Sequence, residues 1–237
     1  MTALNSITDE GAESLVAFCR RALGEEILPQ DRFQACFTLG MLAWRAGDLA
    51  EMKEQLSFAA EAAVQALEGC DLADTQQVRT PHDVVSSMFV VMNFGDDAQL
   101  RRLGAVKRQQ FFQPEAQQYR SLADLLDCLR AYFAGALLDA KTLSAVEAVN
   151  EHRETDHLCE PYVGNLALGL SAIQEKNTIL ADKCFAYLAN SHTRRALGGG
   201  WENLADGLMS LWALTLATAA RRELVSLTAH SPYVPVL

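Results

Sequence analysis

Apolar residues recur along much of this chain at steps of three and four, the spacing that places side chains on one face of an α-helix. The stretch 33–67 shows this most clearly, with one stripe before Gly47 and another after Asp48. Gly47 can adopt the left-handed conformation that ends a helix, and Asp48 can cap the next one. The stretch is therefore predicted to be an antiparallel hairpin. Its stripes are Phe33, Phe37, Met41 and Trp44, then Leu49, Met52, Leu56, Ala59, Ala63 and Leu67.

Similar stripes predict further helices on both sides of this hairpin, while alternating β-branched runs that mark strands are nearly absent. These helices begin near Asp9, Pro81, Asp97, Ser121, Thr142, Pro161, Leu180 and Trp201. Two have well-marked predicted spans, Ser121–Leu138 and Trp201–Leu227. The predicted fold class is all-α, an array of roughly nine or ten helices in antiparallel hairpins, solenoid-like or bundled, without a sheet. A single domain, 1–237, is expected, and a division near 109–114 is the alternative.

Small and large packing positions of the first hairpin recur later in the chain. Leu39-Gly40 and Ala43 have counterparts in Leu168-Gly169 and Ala172, where a small residue would let two helices approach closely. The pattern resembles the tetratricopeptide-type helical repeat in degenerate form, although Lys176 stands where that repeat has a glycine at the turn. The resemblance implies packed hairpins and no particular reaction.

The charge balance restricts the partners. The chain has 30 acidic and 20 basic residues and a net charge of −10, which disfavours binding to the phosphate backbone of nucleic acids. A basic protein partner suits this charge, as does simple solubility. A local basic cluster, consisting of Arg101, Arg102, Lys107 and Arg108, is expected to pair with neighbouring acidic residues.

Cysteine spacing and apolar runs suggest a cytoplasmic location. The six cysteines are scattered without a Cys-x-x-Cys pair, which favours reduced and mostly buried thiols. The first residues carry no pattern of a secretory signal. The most apolar run, 207–220, is shorter than the roughly twenty residues that cross a bilayer, so no membrane span is predicted.

Metal-capable side chains concentrate at one place, between His152 and Glu160. His152 and His157 lie five positions apart and would diverge by about 140° on a helix, although a loop could bring them together. The alternatives are a weak metal site, a solvated acidic turn and a partner-binding surface. The acidic turn is favoured, and no cofactor is predicted. Because motifs such as Gly-x-Ser-x-Gly are absent and Gly198–Gly200 lacks a following Lys-Ser or Lys-Thr, the chain is not expected to be an enzyme.

The hairpin residues 39–48, the second hairpin at Leu168 and the ending 231–235 resemble the all-helical immunity proteins of bacterial polymorphic toxin systems. The resemblance implies a protein that binds a cognate toxin domain and occludes it without catalysis. Alternatives are a tetratricopeptide-like interaction scaffold, and a helical enzyme or small-ligand sensor. A homodimer through the helix from Trp201 is a further alternative. The candidate binding residues are Glu151, Glu154, Asp156, Glu160 and Tyr162, with Asp71, Asp74 and Trp201 in addition.

Overall fold

A computed structural model of the chain describes residues 7–70, 81–112, 119–150, 160–198 and 205–235. Regular structure in these ranges is helical throughout, which confirms the predicted all-α array. Ten α-helices and two short 3-10 turns, Arg108–Gln110 and Ala205–Leu208, lie within the described ranges. The helices are α1 (Asp9–Leu23), α2 (Pro29–Ala46), α3 (Leu49–Glu68), α4 (Pro81–Phe94), α5 (Asp97–Ala105), α6 (Arg120–Phe133), α7 (Ala140–Asn150), α8 (Glu160–Gln174), α9 (Thr178–Gly198) and α10 (Leu211–Arg222).

Helices α2 and α3 form the predicted hairpin, and its turn has the predicted chemistry. Gly47 has φ 81° and ends α2, because its N–H and that of Asp48 donate to the carbonyls of Trp44 and Ala43 at 3.0 and 2.9 Å. The Asp48 carboxylate then accepts from the Glu51 N–H at 3.0 Å and caps α3. Local sequence alone therefore specifies this turn.

The α8–α9 hairpin repeats the same turn with different residues. Lys176 has φ 58°, and the N–H groups of Lys176 and Asn177 donate to Ile173 and Ala172 carbonyls at 3.1 and 2.8 Å. Asn177 Oδ1 accepts from the Leu180 N–H at 3.1 Å, as Asp48 does in the first hairpin. A lysine thus occupies the left-handed position that favours glycine.

Gly40 and Gly169 allow the close helix approach that the recurring pattern predicts. A Cβ on Gly40 would lie 2.6 Å from Leu56 Cγ in α3, and one on Gly169 would lie 2.7 Å from Leu216 Cδ2 in α10. Both distances are far below a normal carbon–carbon contact. Gly40 lets the two helices of one hairpin, α2 and α3, pack closely. Gly169 lets α8 pack closely against α10, which lies outside its own hairpin.

Two predicted helices are shorter than the periodicity indicated. The helix predicted as Ser121–Leu138 ends at Phe133, because Gly135 at φ 107° terminates α6, and Leu137 is 91% exposed. The predicted helix Trp201–Leu227 is also wrong in its described part, where the helix spans only Leu211–Arg222. The Ser210 N–H donates to the Tyr233 carbonyl at 2.8 Å. The backbone just before α10 is therefore hydrogen-bonded to the C-terminal segment.

Helix α10 packs against three other helices, α4, α8 and α9. Its residues 211–216 are all buried, so its apolar surface is used within the chain. Asn93 of α4 donates to Thr215 Oγ1 at 2.9 Å and accepts from Thr218 Oγ1 at 2.7 Å, which fixes the two helices in register. No helix within the described ranges is both long and apolar enough to cross a membrane.

Candidate functional site

Most of the residues predicted to bind a partner lie outside the described residues. Glu160 starts α8, but its side chain is not described. Those outside the described ranges are Asp71, Asp74, Glu151, Glu154, Asp156 and Trp201, together with the weak metal candidates His152 and His157.

Tyr162 is described, and the structure corrects its expected role as a surface contact. Its side chain is only 3% exposed, and its ring lies 5.5 Å from the ring of Trp212 in α10. The Arg195 guanidinium covers the ring from α9 at 5.1 Å. Tyr162 faces inward with Leu166 on the same side of α8, so it packs the core and is not an exposed anchor.

Two members of the basic cluster pair with acidic residues as expected. Arg102 donates to both carboxylate oxygens of Glu61 at 2.8 and 2.9 Å and to Glu68 at 2.7 and 2.9 Å. The hydrogen bond from Arg102 lowers the pKa of the Glu61 carboxyl. Arg108 pairs with Asp124 at 2.6 Å and with Asp127 at 2.9 Å. Arg102 therefore joins α5 to α3, and Arg108 joins the 3-10 turn Arg108–Gln110 to α6.

The described cysteines have the environment of core residues. Cys19, Cys36, Cys70, Cys128 and Cys184 are buried and unbridged, as the sequence predicts. Burial raises the pKa of the Cys19, Cys36, Cys128 and Cys184 thiols, that of Cys184 to about 11. A thiol held protonated in this way is a poor nucleophile. No group of three or more metal-capable side chains occurs in the part of the chain that the structure describes.

A groove between α1 and α2 is the surface feature that best fits partner binding. It has a volume of about 540 Å³, and the start of α3 closes one end. Its lining includes the apolar residues Ala12 and Val16 of α1 and Leu39, Leu42 and Ala43 of α2. The groove is therefore wide and mostly apolar, as binding sites for helical segments are.

Acidic side chains dominate the charge of this groove. Its lining contains the carboxylates of Asp9, Glu13, Asp48 and Glu51 and only two guanidinium groups, those of Arg20 and Arg45. One of these is already neutralised, since Arg45 donates to Asp9 at 2.7 Å and to the Ile7 carbonyl at 2.9 Å. The groove therefore has a net negative charge.

The local sequence explains why α1 leaves this groove open. The Thr8 hydroxyl accepts from the Gly11 N–H at 3.1 Å and starts the helix. Cys19 is the only α1 residue that is fully buried, so the helix is held along a narrow line against Ala35 and Leu39. The sequence could have shown, from their helical spacing, that Asp9, Glu13 and Arg20 lie on one face of α1. It could not have shown that α2 is the helix across the groove from this face.

Comparisons of the chain with protein-family models, with characterised proteins and with solved structures found no match. The interpretation of the site therefore rests on its own geometry and charge. The arrangement offers an apolar surface bordered by carboxylates, which suits binding of a basic amphipathic segment.

Proposed function

We propose that this chain is a binding protein of the immunity type, which neutralises a basic toxin domain by occluding it and performs no catalysis. The observation that carries the proposal is the acidic, apolar-floored groove between α1 and α2 in a chain of net charge −10. The resemblance of its two hairpins to helical immunity proteins supports the same proposal.

The groove suits a helix or extended segment that carries apolar residues on one side and Lys or Arg on the other. Val16 and Leu42 provide apolar surface for the first set, while Glu13 and Glu51 on the border provide partners for the second. Opposite charges speed the encounter of two proteins, and a desolvated apolar centre slows their dissociation. Together these effects give the tight, long-lived complex that neutralisation requires.

Cell growth tests this function. The chain is co-expressed with the toxin domain encoded by the adjacent gene, in cells that this domain otherwise kills. We expect growth to be restored by the wild-type chain, and to be lost with Ala17→Arg, which places a cation in the groove from an exposed position of α1.

Ala98→Arg is the matched control, because Ala98 is also an exposed helical alanine but lies in α5. This variant is expected to restore growth as well as the wild type does. Absence of rescue by the wild-type chain would contradict the proposal. Recovery of several weak partners instead of one tight partner would favour the tetratricopeptide-like scaffold.

A further inference from the structure

Helix α1 is held to the rest of the chain by much less buried surface than the two helices that follow it. Only Cys19 among its 15 residues is fully buried, whereas ten of the 18 residues of α2 and nine of the 20 residues of α3 are. In the described ranges, α2 is the one helix against which α1 packs extensively. Because buried apolar surface provides most of the stability of a packed helix, α1 detaches at a lower free energy than α2 or α3.

The contact that holds α1 against α2 is a narrow line along one face of the helix. Cys19 packs against Ala35 and Leu39 of α2. Four further residues of α1 contact the core but stay partly exposed, namely Ala12, Leu15, Val16 and Leu23. The α1–α2 groove lies directly beside this line, since Val16 and Leu39 belong to its lining. Few contacts therefore have to break for α1 to move away from α2 and widen the groove.

The start of α1 is fastened to the end of α2 by a group of three residues, Ile7, Asp9 and Arg45, which we call the latch. Arg45 donates to the Ile7 carbonyl at 2.9 Å and to Asp9 Oδ1 at 2.7 Å. The side chain of Ile7 is buried in the core. The side chain of Asp9 is 91% exposed, so water and dissolved ions compete for its ion pair with Arg45.

The other end of α1 is joined to α2 by a short exposed connection. Its residues, 24–28, lie between the last residue of α1 and Pro29, which starts α2. Four of these five residues are exposed, among them Leu28 at 70%. Hinges are loop residues of this kind, which absorb a change of backbone angles while the helices on both sides stay intact.

The charge of the groove links the latch to a basic partner. Asp9 belongs to the latch and also lines the groove, together with Glu13 and Glu51. A lysine or arginine that enters the groove meets the exposed Asp9 carboxylate and competes there with Arg45. Entry of a basic segment and release of the ion pair are therefore coupled.

We infer that α1 is a hinged lid of the α1–α2 groove. It opens by rotation about the connection 24–28 when the latch is released, and it closes on a basic segment held between Val16 of α1 and Leu42 of α2. A partner thus reaches the apolar floor of the groove without being threaded through it. The closing on a partner rests on the proposed function, whereas the opening of α1 in the free chain does not.

Hydrogen–deuterium exchange of the purified full chain, followed by mass spectrometry, tests the opening. Relative to their intrinsic rates, the central amides of α1 should exchange at least about tenfold faster than those of α2 and α3. Low urea concentrations should speed the exchange of α2 and α3 but change that of α1 little, because a local opening exposes little surface. Equal protection of the three helices, or a parallel response to urea, would overturn the inference.

The variant Arg45→Gln tests the latch. It should speed the exchange of α1 about threefold or more and leave that of α2 and α3 unchanged, because it removes an ion pair and a charge-assisted hydrogen bond. Arg108→Gln is the matched control, since it breaks an ion pair of similar length to α6 and should leave α1 unchanged. Identical exchange of α1 in Arg45→Gln and in the wild type would contradict the role of the latch.

Salt provides a readout of the latch that needs no new variant. Raising NaCl from about 0.05 M to about 0.5 M screens exposed ion pairs, so it should speed the exchange of α1 in the wild type but not in Arg45→Gln. A wild-type chain in which the exchange of α1 does not respond to salt would also contradict the latch.

A further exchange measurement, with the product of the adjacent gene added, separates the lid from the proposed function. Binding in the groove should slow the exchange of α1 at least about tenfold, because the closed lid is then held by the partner. Fast exchange of α1 that the added protein does not slow would support the hinged opening and contradict the proposed function. Slow exchange of α1 in the free chain would overturn the lid, whether or not the added protein binds.

Discussion

His192 of α9 is a buried histidine whose titration should control the stability of the fold. Its side chain is 2% exposed, its Nε2 lies 3.1 Å from the Gly207 carbonyl oxygen, and its ring lies 5.1 Å from the ring of Tyr233. Since a carbonyl only accepts, Nε2 carries the proton and donates. Burial lowers the pKa of His192 from 6.5 to about 4, against the raising effect of the Gly207 hydrogen bond and with a further lowering by Arg195.

The lowered pKa means that the unfolded chain binds a proton between about pH 6.5 and pH 4 that folded His192 does not bind. Stability is therefore complete above the unfolded pKa and falls as the pH falls toward the folded one. At 1.36 kcal/mol per pKa unit, these two values give His192 a cost of roughly 2 kcal/mol at pH 5 and almost none at pH 7.

Urea unfolding followed by circular dichroism at pH 7 and pH 5 measures this cost. From pH 7 to pH 5, the free energy of unfolding of the wild type should fall by roughly 2 kcal/mol more than that of His192→Gln. Glutamine retains a side-chain hydrogen-bond donor but does not titrate. Equal losses in wild type and His192→Gln would refute the reasoning.

Two further predictions concern the hairpins and the end of α10. Gly40→Ala should lower the free energy of unfolding by about 1–3 kcal/mol, because its Cβ would meet Leu56. The double variant Gly40→Ala with Leu56→Ala should lose less free energy of unfolding than the two single variants lose in sum. Urea titrations that show simple additivity would contradict this contact. Leu224→Gly should raise the free energy of unfolding by roughly 0.5–1 kcal/mol, since relief of about 1–2 kcal/mol of strain exceeds the added backbone freedom. Lys176→Gly should raise the free energy of unfolding by less than Leu224→Gly does, because it also loses the hydrogen bond from the lysine ammonium to the Glu223 carbonyl. Thermal unfolding that ranks the two variants in the opposite order would count against this account.

The elements that the sequence predicted correctly are those whose limits are set by local chemistry. Gly47 and Asp48 specify the α2–α3 turn by a left-handed glycine and a capping carboxylate, both of which are visible in the sequence. The Asp96 cap of α5 is of the same kind, with reciprocal hydrogen bonds to Gln99 at 2.8 and 2.9 Å. Apolar periodicity then supplies the buried face.

The predicted helix Ser121–Leu138 was too long because the local signal of Gly135 was missed, whereas other incorrect predictions depend on contacts between distant residues. Leu224 adopts a left-handed conformation without any local signal for it, where the chain leaves α10 for the C-terminal segment that Asp182 holds. Tyr162 is buried against Trp212, which is fifty positions away. The α1–α2 groove was likewise beyond prediction, because periodicity identifies the apolar face of a helix but not the width of the space between two helices.

The affinity of the purified chain for the product of the adjacent gene, which the proposal takes to be its toxin, is the most direct test of the central claim. The account predicts a nanomolar complex with the wild type, and one at least about tenfold weaker when both Glu13→Lys and Glu51→Lys reverse charges in the groove. Glu175→Lys, at an exposed position just after α8, should bind as tightly as the wild type. Equal affinity in the groove variant, or no complex with the wild type, would contradict the account.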